Sequence, residues 1–374
     1  MKSILIVFLV IFLYQGLTPA EVIVDEIVIG RRFKVGADGS IYNSSGNHSI
    51  NVYSPAGELT ATIGKRGEGP GDIKRLGGFN VNPINGNIYV VEMYPGNKWI
   101  SIFDKTGKYL GDWKCNLDWK KWSGLGSIEF DKSGYAYIEA IKRSQERRKN
   151  FTVGFYEQVL LKFSPKGREL KELYRLKVPV YAEGSGKGNI TIPFQSYLSW
   201  DISSDRLIIG ETINNYVEVY DLDGNLKKKI FLPFKKKTVT KKDKDDWEKK
   251  IRESKWGEKG IAQGWLDLKF WRNNLPFSEY RPTAFYQTRV DSHGHYYCME
   301  FPGDKPIVYR WAKVDLSTAK VSIVTSSPKS WLLAMNSKGN FVLQYNEEGE
   351  TTLVKLDGKD FFSESTDLKE TGAR

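Results

Sequence analysis

The chain has 374 residues, 40% hydrophobic, 13% aromatic and 27% charged, with a formal net charge of +11. That apolar content excludes a disordered chain, and its abundant Gly, Tyr, Phe and Trp favour strands and tight turns over a helical bundle. Two Cys exclude a disulfide scaffold or a four-Cys zinc site, and three His leave little for metal chemistry.

Lys2 precedes an unbroken apolar run from Ile4 to Leu13, with small residues at Thr18 and Ala20. This pattern predicts a signal peptide over residues 1–20, too short for a spanning helix, which needs about 20 apolar residues. An uncleaved N-terminal anchor is the alternative. The remainder, residues 21–374, is then secreted or periplasmic, with no transmembrane span. An exported protein rarely meets nucleic acid, so the basic excess points to an anionic glycan, an envelope polymer or an acidic protein.

From residue 21 onward one unit recurs six times. Its first turn is Asp38-Gly39, Asn85-Gly86, Ser133-Gly134, Ser204-Asp205, His293-Gly294 or Lys338-Gly339, each followed by a β-rich run. Such turns between alternating apolar runs are hairpin signals, because Gly, Asn and Asp tolerate positive φ. A third strand and a second turn follow, as in Ile100-Ser101-Ile102-Phe103-Asp104-Lys105-Thr106-Gly107, and then a fourth strand. Six four-stranded units predict an all-β fold: a six-bladed β-propeller forming a single domain over 21–374. The last unit lacks a fourth strand, since the sequence from Phe361 reads as a polar tail. The leading segment 21–29 is a spare strand, predicted to supply the outer strand of blade six and close the ring.

The decapeptide Gly64-Lys65-Arg66-Gly67-Glu68-Gly69-Pro70-Gly71-Asp72-Ile73 resembles the Gly-x-x-Gly-x-Gly-Pro-Gly signature of NHL-type repeats and of related six-bladed propellers that bacteria export. The resemblance implies that this segment links one blade to the next. It implies no catalytic residue. Ile73 stands where those families usually have Phe.

Two insertions, at 140–155 and 235–282, are predicted on the face shared by the B–C loops and D–A links. Residues 142–149 carry five basic and one acidic residue, and 235–259 carry eleven and six, so most of the net charge lies on one face. In the second insertion Thr240 reads as a helix N-cap with Asp243 three residues on, and Trp247 and Ile251 share a helix face. This is either a solvated helix pinned to the rim or an anion-binding lid. Candidate ligand-binding residues on this face are Arg147, Arg148, Lys236, Lys241, Trp265, Trp271, Arg272 and Arg281. The aromatics would either seat the insertion or stack on a sugar, with Arg272 and Arg281 as hydrogen-bonding forks.

Glu92, Glu139, Glu211 and Glu300 recur where strand B should end. A structural role accepting backbone N–H bonds competes with a ring of Ca²⁺ ligands at the channel mouth, completed by Asn43 or Asn47, as lactonase-like propellers use. The histidines fall on two faces and cannot share one zinc ion. No nucleophile elbow, His-Glu-x-x-His or phosphate-binding loop is present. The sequence favours an exported binding module recognising an anionic or carbohydrate-like partner, with no cofactor. A Ca-dependent hydrolase or lactonase and a structural envelope component remain the alternatives.

Overall fold

The computed structural model describes residues 21–24, 32–92, 100–113, 116, 118, 120–184, 188–203, 205–264, 266–282, 284–291, 293–300, 308–327, 329–336, 339–345, 351–356 and 361–364. The predicted signal segment 1–20, Cys115 and Trp265 lie outside these residues.

Local hydrogen bonding sets the turns. Asp131 Oδ1 accepts from the amides of Ser133 (2.9 Å) and Tyr135 (3.0 Å), and Asp291 Oδ1 from those of His293 (2.9 Å) and His295 (2.8 Å). Asp104, Asp221 and Asp315 fold back on their own second turns in the same way. These contacts stabilise the ionised carboxylates, and hydrogen bonding holds all three below the usual carboxylate range.

The strands form six antiparallel sheets. The chain opens with β1 (Glu21–Val24). Blade one comprises β2 (Phe33–Val35), β3 (Ile41–Ser45), β4 (Ser49–Tyr53) and β5 (Leu59–Ile63). Blade two comprises β6 (Leu76–Val81), β7 (Ile88–Glu92), β8 (Ile100–Phe103) and β9 (Tyr109–Asp112). Blade three has five strands, β10 (Gly124–Phe130), β11 (Ala136–Arg147), β12 (Thr152–Phe163), β13 (Glu169–Gly184) and β14 (Gly188–Thr191). Blade four holds β15 (Leu198–Ile202), β16 (Arg206–Glu211), β17 (Tyr216–Asp221) and β18 (Leu226–Phe231). Three helices follow, α1 (Lys241–Glu253), α2 (Lys255–Ala262) and α3 (Leu268–Asn274). Blade five holds β19 (Ala284–Val290), β20 (His295–Glu300), β21 (Tyr309–Asp315) and β22 (Val321–Ser326). Blade six holds β23 (Ser330–Asn336), β24 (Gly339–Tyr345) and β25 (Thr351–Leu356), and β26 (Ser363–Glu364) ends the described chain.

The first strands of the blades line the axis. β6 touches β10, β10 touches β15, β15 touches β19, β19 touches β23, and β23 touches β2. A separate apolar layer fills each junction between neighbouring blades, including the junction of blades six and one around Ile41, Leu333, Phe341 and Leu353. The fold is therefore the predicted six-bladed β-propeller. β1 pairs with β25, Glu21 opposite Lys355 and Val22 opposite Val354, and supplies the outer strand of blade six as expected.

The Gly-rich decapeptide is the link from blade one to blade two. Ile73 is fully buried and its amide donates to the Lys65 carbonyl at 2.7 Å, while Asp72 accepts from the Gly69 amide at 2.9 Å. At Gly71, φ is +78° and an added Cβ would stand 2.9 Å from Tyr109 Cβ, so no other residue fits without strain.

Two expectations are corrected. The insertion at 140–155 is not a loop: β11 and β12 pair continuously out to Arg147 and Thr152, because the ladder supplies the backbone bonds that a charged sequence does not advertise. Nor do residues 361–364, the described part of the predicted tail, behave as one. Phe361 is buried, Phe362 stacks on Tyr297 at 4.8 Å, and β26 adds a fifth strand to blade five.

Candidate functional site

The two insertions make one body. Phe151, Val153 and Phe155 of the long hairpin, with Ala182, Ile190 and Ile192 beside it, pack against Trp247 and Ile251 of α1 and Leu268 and Trp271 of α3. Phe151 meets Phe270 and Trp271 edge-on at 6.0 and 5.7 Å. The predicted capping box starts α1, with Thr240 accepting from the Asp243 amide at 3.2 Å and Asp243 accepting from the Thr240 amide at 2.8 Å. α2 and α3 extend the insertion beyond the one helix its sequence predicts. The accessory body rises from the end of blade three and the link between blades four and five, on the face of the B–C loops.

Its candidate binding residues divide by location. Trp271 is completely buried, so its ring seats the helices and is not a stacking platform. Arg272 joins α3 to α1 through Asp245 and through Glu248 (2.8 Å), and Arg281 pairs with Asp243 (2.9 Å). Both guanidinium groups are braces rather than ligand forks. Lys236 donates to Asn214 at 3.3 Å and lies 4.7 Å from the Tyr280 ring, and Arg148 lies over Phe151 at 5.8 Å. Arg147 at the hairpin tip and Lys241 at the start of α1 are exposed, with no ion-pair partner among the described residues.

The four glutamates do not form a cage. Glu92 accepts from the Lys74 amide at 3.3 Å, and burial raises its carboxyl above the ordinary value. Glu139 accepts from Ser127 and Gln158, Glu211 from Tyr174 and Asn214, and Glu300 from Arg310. Among the described residues only Glu92 thus meets the backbone N–H role expected of all four. Among the described residues no three His, Cys, Asp or Glu side chains converge as a candidate metal site. Cys298 is a free, buried thiol.

A second constellation lies on the inner strands. On one rung of the inner strands stand Lys34, Asn80, Glu129, Asp201, Arg289 and Ala334, opposite Tyr42, Tyr89, Tyr137, Ile208, Tyr297 and Phe341 respectively. Five blades thus place a polar or charged side chain at equivalent positions facing the axis, where unpaired charge is costly. Lys34 pairs with Glu129, which also accepts from Asn80. Arg289 donates to the carbonyls of Leu333 (2.9 Å) and Thr288 (2.5 Å). Among the described residues Asp201 accepts only from the Ile202 amide, at 2.8 Å. Burial and the neighbouring Glu129 raise its carboxyl to about 6, against the opposing pull of Lys34 and Arg289. Burial lowers Arg289, opposed by Asp201 and Glu129.

These side chains, Asn80 excepted, surround an axial cavity of about 390 Å³ also lined by Phe33, Phe79, Ser127, Trp200 and Thr288. The described lining lies in the middle and second half of the inner strands, toward the tight turns and away from the accessory body. The signal was present in the sequence, as a polar residue three to five positions before the first turn in five repeats.

Residues 37–207 match the family model DUF5128, a six-bladed β-propeller. No curated protein sequence matches the chain. Among solved structures, a Bacteroides fragilis protein described as exported is similar over 90% of this chain and 93% of its own, with TM-score 0.51 and 9% identity. A member of the DUF4221 family from Bacteroides vulgatus is similar over 92% and 95%, with TM-score 0.51 and 11% identity. At such identities the likeness shows the fold, and it agrees with the sheets, the family match and the closed ring in making this chain a six-bladed β-propeller.

Proposed function

We propose that the protein is an exported binding module that recognises an anionic partner, an acidic glycan, envelope polymer or acidic protein, through its accessory body. The observation that carries this reading is the imbalance of charge on that body. Its acidic residues are largely committed to internal pairs, Asp243 with Arg281, Asp245 with Arg272, and Glu248 with Arg252 and Arg272. Arg147, Lys149, Lys235, Lys237, Lys241 and Lys242 are exposed and lack ion-pair partners among the described residues. Uncompensated exposed cations on a rigid scaffold attract polyanions over about a Debye length and fix their orientation on contact. The N-terminal apolar run and the likeness to a propeller described as exported support the placement outside the cytoplasm. Among the described residues no helix is long and apolar enough to cross a membrane.

The test is binding of polygalacturonate and heparin by the mature chain and by the triple variant Arg147→Glu, Lys241→Glu, Lys242→Glu. Binding to at least one polymer at 50 mM salt, weakened tenfold or more by the variant and by 300 mM salt with an unchanged melting temperature, is the expected result. Equal binding by the variant, or none by the native chain at low salt, overturns the proposal.

A further inference from the structure

We infer that the axial cavity is a second ligand site, and that it takes a neutral polyhydroxylated molecule of monosaccharide or disaccharide size. This rests on the inner-strand rung, not on the accessory body, and stands or falls separately from the anionic partner. At about 390 Å³ the cavity lies within the range of about 300–1,000 Å³ that small-molecule sites occupy.

The wall mixes charges of both signs, three basic groups with two carboxylates, rather than presenting one sign to a ligand. Lys34 and Arg289 balance Glu129 and Asp201, and the remaining lining cation, Arg32, donates to the Leu76 carbonyl at 3.2 Å. A free anion meets two carboxylates and a free cation meets three basic groups. Hydroxyl groups suit such a wall because each both donates and accepts. Asp201 offers the most open acceptor: beyond the Ile202 amide its carboxylate has no hydrogen-bond partner among the described residues. Trp200 beside it lines the cavity, and its indole N–H has no partner among the described residues. An aromatic ring with a free donor, next to a carboxylate with open lone pairs, matches the apolar face and hydroxyl rim of a pyranose. Ala334 leaves blade six without a polar group on this rung, so the cavity has room on one side.

The experiment is ligand-observed NMR and titration calorimetry on the mature chain with glucose, galactose, mannose, xylose, maltose and cellobiose, and with galacturonate and glycine as charged and zwitterionic arms. At least one neutral sugar is expected to bind, at least tenfold more weakly to Asp201→Ala and to Trp200→Ala. Binding should be unchanged in the triple Glu variant of the accessory body. Asp201→Asn, which keeps the shape and one acceptor, should lose less and guards against misfolding of the alanine variant. The inference fails if no neutral sugar binds, if galacturonate or glycine binds in their place, or if Asp201→Ala and Trp200→Ala bind as the native chain does.

Discussion

Asp201 illustrates a residue whose charge works against the fold that holds it. Its carboxyl is raised from the ordinary 3.8 to about 6 by burial first and by Glu129 second, and Lys34 and Arg289 offset this only in part. Between those two values the native state holds a proton that the unfolded chain has released, so stability falls as pH rises through that window. Asp201→Asn is therefore expected to stabilise the protein at pH 7.5 by about 1–2 kcal/mol and to have little effect near pH 4, as read from urea unfolding at both pH values. A variant no more stable than the native chain at pH 7.5 would show that Lys34 and Arg289 already compensate the charge. A charge of this kind at the axis is what the ligand site inferred above would require of the scaffold.

Among the elements, the long hairpin and the helices depend on each other. β11 beyond Ile141 is polar and mostly exposed, and on its own such a ladder is marginal. Burial of Trp271 and Trp247 against Phe151 and Val153 supplies what the hairpin lacks. Trp271→Ala should cost about 3–5 kcal/mol locally. Limited proteolysis should then cut within 235–282 while the propeller keeps its far-ultraviolet spectrum; resistance equal to the native chain would refute the shared core. This dependence also explains what was legible in the sequence. Turns announced themselves through Asp and Gly, and α1 through Thr240 and Asp243. β11 did not, because its strand conformation comes from the paired neighbour rather than from alternating apolar residues. The buried role of Trp271 and the braced roles of Arg272 and Arg281 depend on partners distant in sequence. The axial rung is illegible for another reason: each of its residues looks ordinary alone, and only six strands in register bring them together.

For the whole molecule, closure rests on pairing across the termini. β1 covers the outer edge of β25, and β26 with Phe361 and Phe362 fastens the other end to blade five beside Trp311. Removing residues 21–24 would leave β25 as a bare edge, a template for strand addition between copies. Size-exclusion chromatography of that deletion is expected to show oligomers or aggregates with a lower melting temperature. A monomeric profile and unchanged melting would mean that β1 contributes nothing to the ring.

The same β1–β25 pairing orders events in time. As the protein is synthesised, its first described strand has no partner until nearly all the remaining sequence has emerged, so blades one to five can settle early while the ring stays open. Completion then awaits a search between the two chain ends, the longest-range contact the topology contains and the kind that slows folding most. Ring closure through β1 and β25 is therefore expected to be the last step of folding, and the sixth blade the segment left open longest.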